Sequence, residues 1–105
     1  MYQLPSDVVK ELQDFFAHYS FIDKVVIFGS RARGDCGEKS DIDICVYSLE
    51  MSDEEFRDLR YEINELPILY KIDIVHFEKI NDKLRENILR DGKLFFVKQV
   101  TLLSI

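Results

Sequence analysis

Three aspartates stand inside stretches that otherwise read as β-strands: Asp41 and Asp43 on either side of Ile42, and Asp73 between Ile72 and Ile74. Aspartate is a poor strand former and like charges side by side repel, so these positions are conspicuous. Asp41 and Asp43 are two apart, which on a pleated strand sends both carboxylates to one side. Asp73 joins them if the later strand lies in register. Carboxylates within a few ångströms of one another do not all ionise unaided, because each raises the pKa of the others. A divalent cation resolves that conflict. An all-oxygen ligand set selects a hard ion, and Mg²⁺ in particular bridges carboxylates and substrate phosphates.

Just upstream, an apolar run ends in Phe28 and is followed by Gly29-Ser30-Arg31-Ala32-Arg33-Gly34. Gly29 lets a ligand approach the backbone closely. The Ser30 hydroxyl and nearby amides can donate to phosphate oxygens, and a helical turn starting here would favour an anion at its N-terminus. Arg31 and Arg33 can grip phosphates through paired donors. An anion cradle at one strand end beside a cation site on the neighbouring strand is what a nucleoside triphosphate with Mg²⁺ requires. Simpler roles compete with these. Ser30 can merely cap a turn, Arg31 and Arg33 can offset Asp35 and Glu38, and Asp73 can pair with Lys71.

The elements that position these residues are legible from periodicity. Val8, Leu12, Phe15, Phe16 and Tyr19 give one helical stripe, predicting a helix from about Pro5 to Tyr19 with Ser6 or Asp7 as cap. Lys24 to Phe28 is short and β-branched and reads as a buried strand ended by Gly29. The segment from Gly29 to Ser40 is a loop with one helical turn near Arg31. Asp41 to Tyr47 alternates, with Ile42, Ile44 and Val46 on one face and Asp41, Asp43, Cys45 and Tyr47 on the other. Ser52 with Glu55 forms a capping box for a second helix, whose Phe56, Leu59, Ile63 and Leu66 run to a stop at Pro67. A third strand spans Tyr70 to Phe77. A third helix spans about Asp82 to Arg90, burying Leu84, Ile88 and Leu89, and stops at Gly92. Leu94 to Val97 can add a last short strand. The expected fold is α/β (α+β), a small mixed sheet with helices packed on one face and the aspartates on the opposite one.

At 105 residues the chain reads as a single domain, 1–105. A net charge of −6 argues against direct nucleic-acid binding, which needs a basic face. The 47% hydrophobic content excludes disorder, while 4 Gly and 2 Pro exclude collagen-like sequence. No apolar run is long enough for a membrane span and no signal peptide is visible, so a reducing cytoplasm is expected. Cys36 and Cys45 make no disulfide framework: Cys36 reads as incidental and Cys45 as a buried free thiol. His18 and His76 read as ordinary histidines rather than ligands.

The ordered set of Gly29-Ser30, Asp41-Ile42-Asp43 and Asp73 in an apolar strand resembles the nucleotidyltransferase superfamily that includes DNA polymerase beta. The small size, the run from Gly29 to Gly34 and the tail Ile88-Leu89-Arg90-Asp91-Gly92 look most like its minimal nucleotidyltransferases, the MntA-like antitoxins. The resemblance covers about Val25 to Phe96. It implies that Asp41 and Asp43 hold two Mg²⁺ ions and that Asp73 binds the catalytic metal and helps deprotonate the attacking hydroxyl. Gly29 and Ser30 would bind the β- and γ-phosphates, with Arg31 and Arg33 as further nucleotide contacts. ATP is then the substrate. The acceptor is expected to be a hydroxyl, a tyrosine, of a HEPN-domain toxin encoded nearby, which AMP silences in a type VII-like toxin–antitoxin system. An exposed face bearing Cys45, Tyr47 and Val75 would suit that partner. Two other functions fit the same motifs: a non-catalytic or nucleotide-binding module that masks a toxin, and a small-molecule (antibiotic) nucleotidyltransferase.

Overall fold

Four apolar runs pair into one sheet in the computed structural model, which describes residues 3–35, 37 and 40–98. They are β1 (Lys24–Phe28), β2 (Ile42–Tyr47), β3 (Ile72–His76) and β4 (Lys93–Val97), in the order β3-β2-β1-β4. β1 runs antiparallel to both β2 and β4, whereas β2 and β3 are parallel. A parallel pair needs a crossover, and α3 (Asp53–Ile63) supplies it. The other helices are α1 (Ser6–Ala17), the short α2 (Ser30–Arg33) and α4 (Asp82–Asp91).

Alternation sorts the strand residues onto two faces. Val25, Ile27, Ile42, Ile44, Val46, Ile72 and Ile74 are buried against Val8, Leu12 and Phe16 of α1 and Leu59 and Ile63 of α3. This is the main core, and it sets the register, because a slip of one residue would send the whole apolar set to the wrong face. On the other face, Val26 and Cys45 meet Ile88 of α4, with Phe28, Tyr47, Val75 and Leu84 packed around them. The small mixed sheet is the expected one, with α1 and α3 on one face. α4 lies over part of the other face, so Cys45 is fully buried instead of exposed to a partner. Burial also pushes its thiol pKa up to about 12, which makes it inert at neutral pH.

Several ends differ from the periodicity. α1 starts after Pro5, whose carbonyl accepts from Val8 and Val9, and no side chain caps it. It stops at Ala17, yet Tyr19 still packs on Phe15 and Phe21. α3 ends at Ile63, before Pro67, because the Asn64 amide turns aside: its Nδ2 donates to Arg60 O and Ile72 O, while its Oδ1 accepts from Ile72 N. β3 starts at Ile72, two residues after the expected Tyr70. Leu89 is exposed (69%), so the stripe of α4 is Leu84 and Ile88 alone. Cys36 and Glu38 lie outside the described residues.

The capping box is present in full: Ser52 Oγ accepts from Glu55 N, and Ser52 N donates to Glu55 Oε1. Ser52→Ala should therefore lower stability by about 1 kcal/mol. Urea denaturation should show this as a lower midpoint with an unchanged slope.

Candidate active site

The sheet register places Phe28, the last residue of β1, opposite Asp43 of β2, and Asp43 beside Asp73 of β3. Phe28, Asp43 and Asp73 thus form one row across three strands, on the face that α4 covers only in part. Asp43 is half-buried and Asp73 is exposed. Asp41 immediately precedes β2 and is exposed. It lies close enough to Asp43 to act on its charge.

Gly29 follows Phe28 with φ +71° and ψ −153°, a region essentially closed to residues with a Cβ. A Cβ built there would collide with the Asp43 carboxylate. The backbone of the turn therefore lies directly against the carboxylate, and Ser30 opens α2 one residue further on. The turn and the acidic row, separated in the sequence, meet at one end of the sheet.

The electrostatics of the row are unfavourable by themselves. The Asp43 pKa is raised above 3.8, first by burial and then by the charges of Asp73 and Asp41, with Arg33 opposing the shift. Lys71 Nζ stands 3.9 Å from Asp73 Oδ1, but both groups are exposed, and such pairs contribute little. Among the described residues no group of three or more His, Cys, Asp or Glu side chains is gathered closely enough to hold a metal ion unaided. The donor set nonetheless fits Mg²⁺, which binds through one or two carboxylates and completes its shell with water and substrate phosphate. The uncompensated charge at Asp43 is what such an ion would offset.

The two arginines of the Gly29–Gly34 run part company. Arg33 is exposed and pairs with Asp35 at 3.0 Å. Arg31 is buried: its guanidinium donates to Gln3 O at 2.8 Å and Ser40 O at 2.7 Å, and it stands 4.9 Å from the Tyr70 ring centroid. Arg31, expected among the nucleotide contacts, is thus placed inside the protein. Its donors are turned into the protein, where they tie the loop to the N-terminal segment and to the approach to β2.

The Arg90-Asp91-Gly92 tail, which carried part of the family resemblance, was given no role in the sequence reading. Arg90 donates to Asp91 through Nε at 3.1 Å and NH2 at 3.0 Å, and these bonds, with Arg33 nearby, hold the Asp91 carboxyl below its ordinary pKa. The available signal was the Arg-Asp-Gly run itself, which periodicity reads only as a helix end. His76 lies on the main-core face, its Nε2 2.8 Å from Ser48 O, away from the row. Two surface concavities flank α1, one against Pro67–Tyr70 and one against β4, and neither is lined by the aspartates.

The row implies a pH effect in the metal-free protein. A raised carboxyl pKa means that the folded state holds the Asp43 proton more tightly than the unfolded state does. Stability therefore falls as pH rises from 3.8 through the folded value, and the penalty is complete at neutral pH. Asp43→Asn should melt higher than the wild-type protein in EDTA at pH 7, and the gap should close as pH is taken below 3.8. A variant that melts lower at pH 7 would contradict this account of the row.

An alignment 60 residues long, covering 48% of the chain, is 37% identical to an inferred protein adenylyltransferase of Methanocaldococcus jannaschii, and the match spans 61% of that relative. The chain thus spans about three-fifths of the length of the curated relative it matches. Among solved structures, a toxin–antitoxin complex with AMP-PNP contains a chain that superposes with a TM-score of 0.67 at 21% identity, covering 90% of this chain and 73% of that one. A complex of tri-AMPylated Shewanella oneidensis HEPN toxin with its MNT antitoxin gives a TM-score of 0.55 at 22% identity, covering 94% and 75%. At these identities the likeness is one of fold. The profile of the polymerase beta nucleotidyltransferase family matches residues 10–101, and the chain belongs to that family.

Proposed function

We propose that this protein transfers AMP from ATP–Mg²⁺ to a hydroxyl, a tyrosine side chain, of a HEPN-domain toxin encoded nearby, and so acts as the antitoxin of a type VII-like pair in the cytoplasm. The observation that carries this reading is the Phe28–Asp43–Asp73 row abutting Gly29. The adenylyltransferase name of the archaeal relative and the AMPylated toxin seen beside a similar fold support it.

On this reading each residue has a separate task. Gly29 lets a phosphate approach the backbone, and Ser30 Oγ–H donates to a phosphate oxygen. Asp41, Asp43 and Asp73 would hold two Mg²⁺ ions, which when bound neutralise phosphate charge and orient the attacking and leaving oxygens. Asp73, more exposed than Asp43 beside it, accepts the proton of the acceptor hydroxyl. The hydroxyl oxygen bonds to the α-phosphorus, the bond to the bridging oxygen breaks, and pyrophosphate leaves with its electron pair. No covalent link to the protein is needed, since positioning and charge stabilisation supply the acceleration. Arg33 is free to turn from Asp35 to phosphate, because an exposed pair is weak.

The acidic row lies outside the two concavities beside α1, so neither of them can hold a small acceptor at the row. That favours an acceptor presented by a protein over an antibiotic. Incubation with ATP, Mg²⁺ and the HEPN protein should raise the toxin mass by one or more AMP residues, and EDTA or Asp43→Ala should abolish the gain. Gly29→Ala, whose methyl displaces the Asp43 carboxylate, should lower the rate by about 100-fold. If the Asp41→Ala, Asp43→Ala double variant still neutralises the toxin fully, masking replaces transfer as the function.

A further inference from the structure

The row of aspartates occupies only one flank of β1. The other flank is built by the corner where α4 enters β4. Lys93 pairs with Ile27, so Asp91 and Gly92 fall beside the end of β1, where Phe28 gives way to Gly29 and Ser30. Gly92 approaches so closely that a Cβ there would strike the Val26 side chain and the Ile88 carbonyl. The corner is thus pinned against β1, and it carries Arg90 on its surface. Arg33, at the end of α2, lies within electrostatic reach of Arg90 and Asp91 on one side and of Asp43 on the other.

The segments that carry Arg33 and Arg90 therefore both border the end of β1. Each guanidinium is held by a local acid: Arg33 by Asp35 at 3.0 Å, and Arg90 by Asp91 at 3.0 Å and by Asn87 Oδ1 at 3.3 Å. The Arg33 and Arg90 side chains are 47% and 68% exposed, so both can exchange these partners for an incoming anion. The Asp91 side chain is only 19% exposed. An acidic flank, a glycine-serine turn and a basic flank in sequence form a track graded from negative to positive. A polyphosphate with its metal-bound end on the acidic flank would run its far end along that gradient.

We propose that Arg90, together with Arg33, is the site that holds the terminal phosphates of the nucleoside triphosphate and the pyrophosphate it becomes, with Asp91 as the carboxylate they displace. Arg90 is thereby a binding residue that discriminates triphosphate from monophosphate. Guanidiniums suit this task because they offer paired donors to phosphate oxygens in a fixed plane. Asp91 sets the strength of the site: while it accepts from Arg90 it competes with phosphate, so it also favours release of the product.

This proposal rests on the nucleotidyl-transfer reading, and inorganic tripolyphosphate and AMP, each with Mg²⁺, separate the two. Calorimetric titration should show Arg90→Ala weakening tripolyphosphate by about tenfold and leaving AMP unchanged. Asp91→Asn, which frees the Arg90 guanidinium from its carboxylate, should tighten tripolyphosphate by a few-fold, a gain that a misfolded variant cannot mimic. The proposal is overturned if wild-type protein does not bind tripolyphosphate, if Arg90→Ala stays within twofold of it, if AMP weakens in parallel, or if Asp91→Asn binds less tightly. Should toxin modification fail while these tripolyphosphate effects hold, the transfer reading falls and the anion site stands.

Discussion

The contact between the Gly29 backbone and the Asp43 carboxylate is the constraint around which this end of the fold is arranged. It requires a residue without a Cβ, in a backbone conformation that other residues avoid, at the step where β1 ends. It also half-buries a carboxylate that already has Asp73 beside it in the next strand. Left to itself, such a row would favour flipping β2 or fraying its first pairs. The apolar face prevents that. Ile42, Ile44 and Val46 are fully buried on the opposite side of the same strand, and a one-residue slip that turned Asp43 to the other face would turn all three out of the core. The main core thus imposes the repulsion, and the site stores it until positive charge arrives.

Arg31 and Arg33 show how finely the loop is divided. Two positions apart on a single helical turn, they point to nearly opposite sides. Arg31 goes inward to Gln3 O, Ser40 O and the Tyr70 ring, joining three separate segments through one guanidinium. Asp41 follows Ser40 directly and β2 begins at the next residue, so this tie fixes where Asp41 and Asp43 stand. Arg33 is left outside with Asp35, on the side of the turn that faces Arg90 and Asp91. The buried arginine positions the carboxylates, and the exposed one remains available to a ligand.

Much of this was legible in the chain itself. The strand alternation assigned every β2 residue to its observed face, and the Ser52–Glu55 pair marked a helix start to the residue, because both signals are local and periodic. The roles of Arg31 and α4 were not legible. Nothing local distinguishes Arg31 from Arg33. The difference lies in Gln3 and Tyr70, which are distant in sequence. The stripe of α4 is short, and periodicity could not say which face of the sheet it covers; Cys45 is the buried free thiol expected of its strand, but it lies beneath Ile88 and not on the exposed partner face. Its Leu89 looked like part of that stripe only because it is apolar, and it points to solvent. Long-range pairing decided each of these positions, and a single sequence carries no direct record of it.

Charge ties the parts together. The whole chain is acidic, at −6, and the exposed part of the candidate site adds Asp41 and Asp73 to the half-buried Asp43. A free polyphosphate meets repulsion there, whereas its magnesium complex does not. The order in which groups can assemble follows from that sign: cations first or together with the nucleotide, never after it. The two exposed arginines across β1 do not alter this order, since Asp35 and Asp91 already balance them. They matter only once a phosphate is close enough to displace those acids. A site built in this way stays quiet toward free anions on an open surface, and it becomes attractive only to a ligand that brings its own positive charge.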